Sequence, residues 1–125
     1  MIVLESGYDD IQHIVKQLNG ITVLTYGIED YDYNELAKTF SFIGINIYHI
    51  SCLEDTLKYK YDVLILNTNI YSIISMMNDI KLYNIDNRKM LLIKYDDHLD
   101  YELIDILNCK SIDYPINYLD FIKNI

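Results

Sequence analysis

Arginine is nearly absent from this chain of 125 residues: Arg88 is the only one, and Lys and Arg together number ten against nineteen Asp and Glu. The formal net charge is therefore −9. Surfaces that grip nucleic acid need clustered Lys and Arg to displace counterions, so the expectation is no nucleic-acid partner for this domain alone. An anionic membrane surface is disfavoured for the same reason. No apolar run reaches the eighteen or more residues of a membrane span, and "MIVLES" is too short, and too acidic at its end, for a signal peptide. Two cysteines, Cys52 and Cys109, follow no metal or redox spacing, which predicts reduced thiols in a cytoplasmic setting. Pro115 is the single proline and there are four scattered glycines, with neither G-x-G-x-x-G nor a Walker A motif. A dinucleotide or triphosphate cradle is thereby unsupported, and no cofactor is expected.

What is present is apolar bulk. Half of the residues are hydrophobic, ample for one domain to bury a core and too many for disorder. Thirteen tyrosines read as compositional bias alongside the many Ile, Asn, Lys and Asp, with a stacking surface as the alternative.

The periodicity of the apolar residues switches repeatedly between strand and helix. "IVLE" reads as a short strand, and Ile11, Ile14, Val15 and Leu18 then recur at helical spacing up to Asn19-Gly20. "ITVLTY" is rich in β-branched residues and reads as a strand. The following helix carries Leu36, Ala37, Phe40 and Ile43 on its apolar face, with Asp32 and Glu35 as a capping pair and Gly44 as its stop. "INIYHI" (strand), "CLEDTLKY" (short helix) and "DVLILN" (strand) come next. Ile70, Ile73, Ile74, Met77 and Ile80 mark a longer helix, followed by the strand "KMLLIK" and a helix with Leu99, Leu103, Ile106 and Leu107. "SIDYPI" and a short last helix, "YLDFIKNI", end the chain. Alternating strands and helices with unbroken apolar strands predict an α/β fold, a parallel sheet of five to six strands covered by helices on both faces. Ligands of such sheets sit beyond the carboxyl ends of the strands.

From Ile21 onward those strand tips resemble the receiver domain of two-component response regulators. "YDVLILN" is similar to the family's third strand, which ends in the phospho-accepting Asp, and here the position holds Asn67. "KMLLIK" resembles the fourth strand, with Lys94 in place of the usual Ser or Thr. "CKSIDYPI" resembles the fifth strand's Lys-Pro step, with Pro115 matching and Tyr114 in place of the lysine. The family's acidic pair falls on Tyr26-Gly27 or on Gly27-Ile28, and neither register supplies a carboxylate. The family's Met-Pro pair after the acceptor is absent too, Ile70 and Tyr71 standing there. Phosphotransfer in the family uses a carboxylate-held Mg²⁺, an attacking aspartate and a lysine. An amide is no such nucleophile and a phenol carries no positive charge. The resemblance therefore implies a pseudo-receiver, non-enzymatic, that works through protein contacts or self-association.

Residues 1–20 have no counterpart in a standard receiver and are expected to add a βα unit to the receiver-like part at 21–125. Its strand belongs either at a sheet edge or inserted between "ITVLTY" and "DVLILN". Insertion would give a Rossmann-like order, and with it the alternative function: a polar or anionic ligand held among Ser6, Gly7, Asn67 and Lys94. The family's habitual contact surface, formed by the fourth helix, fifth strand and last helix, corresponds here to Tyr101, Tyr118 and Phe121. Glu29, Asp30 and Asp32, and separately Asp96-Asp97-His98, offer cation ligands on paper. Helix N-termini, where acids are stabilised by the dipole, explain both groups as well, and no metal is expected. His13 and His49 lack a partner at ligand spacing and read as structural. Lys94 at a strand tip suits either an anion or the neutralisation of Glu29 and Asp30.

Overall fold

The computed structural model describes residues 16–67, 73–94, 104–114 and 121. Among the described residues five strands form one sheet: β1 (Thr22–Tyr26), β2 (Asn46–Ile50), β3 (Val63–Asn67), β4 (Met90–Lys94) and β5 (Lys110–Asp113), in the order β2-β1-β3-β4-β5. All four pairings are parallel. The helix α1 (Asp30–Phe42) follows β1 and α2 (Ile73–Leu82) follows β3, and residues 16–18 and 104–107 are helical as well. This is the expected α/β architecture. "IVLE" and the first helix up to residue 15 lie outside the described residues. Insertion of that strand between "ITVLTY" and "DVLILN" is excluded, because β1 and β3 pair directly from Val23↔Val63 to Tyr26↔Leu66.

Alternation along each strand divides the core in two, since successive side chains point to opposite faces. Val23, Val63, Ile65, Leu91, Ile93 and Ile112 face α1, where Leu36 and Phe40 meet them. Leu24, Leu64, Leu66, Met90 and Leu92 face the other way, against Met76 of α2, Leu53 and Leu107. Every residue of β3 is buried, which accounts for its unbroken apolar run. At the other end of the strand Asp62 clasps β1: its carboxylate accepts from the Thr22 N–H at 2.9 Å, while its own N–H donates to the Thr22 carbonyl at 2.8 Å.

Both helices stop by the same device. The Ile45 N–H donates to the Phe40 carbonyl and the Gly44 N–H to the Ser41 carbonyl, with Gly44 at φ +85°. The Ile85 N–H likewise reaches the Ile80 carbonyl, and Asn84, at φ 54°, reaches Lys81. These paired bonds absorb carbonyls that a helix end leaves over, and they require a left-handed residue at the turn. At Gly44 the requirement is double, because a Cβ would also stand 2.6 Å from the Asn19 side-chain oxygen.

Three local expectations are corrected. The helix α1 begins at Asp30, with Glu29 preceding it and no side-chain capping bond, so Asp32 and Glu35 are not a capping pair. "CLEDTLKY" forms a 3-10 helix over Leu53–Lys58, tied by the Thr56 hydroxyl donating to the Leu53 carbonyl at 2.7 Å. Among the described side chains of α2, Met76 is buried with Ile80 packed beside it, whereas Ile74 and Met77 are exposed.

Candidate functional site

The carboxyl ends of the strands carry the positions singled out in the sequence. Tyr26 closes β1 and Asn67 closes β3. Because Tyr26 pairs with Leu66, the next residues, Gly27 and Asn67, stand beside each other. Gly27 turns away in the left-handed region at φ +77°, and its carbonyl accepts a hydrogen bond from the Asn67 Nδ2 at 2.9 Å. Asn67 is 5% exposed. A carbonyl oxygen can only accept, so the amide must present its NH₂ here; a carboxylate would set oxygen against oxygen. The tip of β3 is thus fastened to the tip of β1 by a bond that needs a donor at position 67.

Tyr26 does not join that contact. Its ring packs on the second core face. Burial raises its phenol above the ordinary range, reinforced by the negative charge of Asp79 and by Cys52. Lys94 closes β4 and is paired with Asp113 of the adjacent strand, Nζ to Oδ1 3.1 Å. Asp113 is thus an acid that serves this lysine and that the sequence reading had not put forward. Tyr114 lies just past β5, and its N–H donates to the Lys94 carbonyl at 2.8 Å, extending the ladder by one residue. The structure therefore joins Gly27 with Asn67 and Lys94 with Tyr114, and turns Tyr26 aside.

Asp30 and Asp32 sit in the first turn of α1, next to Glu29. Among the described residues no three His, Cys, Asp or Glu side chains are grouped so as to hold a metal ion. His49 is engaged: its Nδ1 lies 2.9 Å from the hydroxyl of fully buried Thr25, and its ring lies 5.6 Å from that of Tyr33. That pairing follows from the Thr25↔His49 register, which nothing in the local sequence announces. Cys109 is shielded, and burial pushes its thiol up to about 11. His13, Ser6, Gly7, Asp96, Asp97, His98, Tyr101 and Tyr118 lie outside the described residues. Phe121 corrects the expected interface. It is fully buried, with its ring centroid 4.8 Å from that of Phe40, so it belongs to the core and is closed to a partner.

No family model matches the sequence, and no curated protein matches it. Solved structures do match. Vibrio cholerae chemotaxis protein CheY4 superposes with a TM-score of 0.65 at 13% identity, over 82% of this chain and 93% of that one. The structure of ShkA Rec1 in complex with c-di-GMP gives 0.63 at 11%, over 86% and 92%. A complex of the Saccharomyces cerevisiae phosphotransfer protein Ypd1 with the receiver domain of its response regulator Ssk1 gives 0.64 at 11%, over 86% and 88%. The fold is that of a response-regulator receiver domain. Within this receiver fold β1 and β3 are adjacent inner strands whose tips meet at Gly27 and Asn67. Among the described residues, no helix is long and apolar enough to cross a membrane.

Proposed function

We propose that this domain is a pseudo-receiver: a non-enzymatic regulatory module that takes no phosphoryl group and works through protein contacts. The carrying observation is the bond from the Asn67 amide to the Gly27 carbonyl. At the position that the resemblance assigns to the phospho-accepting aspartate, the side chain is an amide committed to holding two strands together. At the positions assigned to the acidic pair stand Tyr26, whose half-buried ring packs against the core, and Gly27, which has no side chain. A phosphoryl-transfer centre needs oxygen ligands for Mg²⁺ and a nucleophile in line. Neither is supplied by these residues. With the switch chemistry gone, contact with another protein is the function that the fold still supports. A structural relative solved together with a phosphotransfer protein fits that reading.

The small-ligand alternative drew on a strand inserted between β1 and β3, and their direct pairing removes that cleft. Titration calorimetry with Mg²⁺ alone is expected to give no saturable heat. A saturable site with one ion per chain would overturn the reading.

A further inference from the structure

We infer that the outer edge of β2 is a self-association surface, at which a second copy of this chain pairs β2 to β2 in antiparallel fashion about a two-fold axis. The inference rests on the contact-module reading above and names its partner.

Charge and exposure carry it. Residues 39–53, fifteen in a row, contain no Asp, Glu, Lys or Arg, and the only longer such stretch is 63–78. That other stretch supplies the fully buried β3. This one forms the end of α1, the Gly44 turn, and β2, a strand at the end of the sheet order. Edge strands of monomeric proteins are ordinarily protected by charges, proline or bulges. "NIYHI" has no charged residue and no proline, and it pairs with β1 residue for residue, without a bulge.

Geometry leaves the edge open among the described residues. The Asn46 N–H donates to the Ile21 carbonyl, so the backbone groups of Asn46, Tyr48 and Ile50 point inward toward β1. Those of Ile47 and His49 point outward, the Ile47 carbonyl touched only by the Tyr33 hydroxyl at 3.5 Å. Apolar rings border this edge. Phe42, at the end of α1, is 92% exposed, and Tyr48, 44% exposed, stacks on Tyr59 with centroids 5.4 Å apart. A cavity of about 290 Å³ lined by Ser41, Gly44, Ile45, Asn46, Ile47 and Tyr48 runs beside it.

The second copy is favoured as occupant by the charge distribution. Two chains of −9 repel wherever their acids face each other, so close approach is least opposed where both surfaces are uncharged. A two-fold axis brings such a strand against itself, which makes the contact self-complementary and closed. Strand pairing then supplies hydrogen bonds, and the exposed rings of Phe42 and Tyr48 supply the apolar contact.

Sedimentation of the wild type at increasing concentration and salt, with Tyr48→Lys beside it, tests the inference. The wild type is expected to be a dimer that strengthens as salt screens the net charge. Its Ile47 and His49 amides should exchange slowly. Tyr48→Lys places a charge on the edge and removes the stack on Tyr59; it should be monomeric and folded, with a melting temperature that is lower but no longer varies with protein concentration, and fast exchange at both amides. A wild type that stays monomeric at high concentration and high salt would overturn the inference. So would a dimer that survives Tyr48→Lys, or one that dissociates with added salt. None of these results bears on phosphoryl acceptance, so the pseudo-receiver reading stands or falls separately.

Discussion

Replacing Asn67 with Asp is expected to destabilise the domain by about 1–3 kcal/mol at neutral pH, the cost of a buried polar group left against the wrong partner. The Asn67 NH₂ donates to the Gly27 carbonyl at 2.9 Å in a nearly closed site. An ionised carboxylate has no proton to donate there, and burial penalises its charge. The pH dependence has a definite sign. Burial and the facing carbonyl both raise the folded-state pKa of the introduced acid above its unfolded value of about 3.9. Its protonated form can donate to Gly27, so the deficit is smallest below about pH 4 and grows as pH rises through the raised pKa. Urea unfolding of both proteins across that range measures it. A variant as stable as the wild type at neutral pH would show that the Asn67–Gly27 bond does not fasten the strand tips.

Replacing Phe121 with Ala is expected to cost about 3–5 kcal/mol, as for other large core aromatics. The ring is fully buried among Phe40, the α1-facing strand residues and their neighbours. Its tilted contact with Phe40 adds about 0.5–1.5 kcal/mol beyond the buried area. The change should appear as a lower urea midpoint, and in whatever fraction stays folded, association should be unaltered. Unchanged stability with lost association would return Phe121 to an interface.

That residue shows where sequence reasoning ran out. The apolar pattern of the last segment indicates a helix with a ring on it, but not whether the ring points at the sheet. The pattern served for β3, where four consecutive apolar residues suit a short strand covered on both sides. Over α2 it held for Ile80 but failed for Ile74 and Met77, because Ile74, Met76 and Met77 follow so closely that no polar residue selects which of them faces the sheet. Helix ends were legible in part. Gly44 announced its stop, since few other residues adopt its backbone angles, whereas Asn84 performs the same task and reads as an ordinary polar residue.

The candidate site divides in the same way. The tip positions Tyr26, Asn67, Lys94 and Tyr114 could be read by following each apolar run to its end. Their partners could not. Asn67 with Gly27, Lys94 with Asp113 and Thr25 with His49 all depend on strand order and register, which are long-range properties. Asp62 is a similar case: an acid before a strand looks like a solvated end, and only the pairing of β1 with β3 shows it holding the Thr22 N–H.

The central claim is the loss of phosphoryl acceptance, and intact-protein mass spectrometry after incubation with acetyl phosphate and Mg²⁺ tests it most directly. An unmodified chain is expected for the wild type, and for Asn67→Asp as well, because no carboxylates stand at Tyr26 and Gly27 to hold the metal. A stoichiometric, acid-labile phosphoryl adduct on the wild-type chain would contradict it.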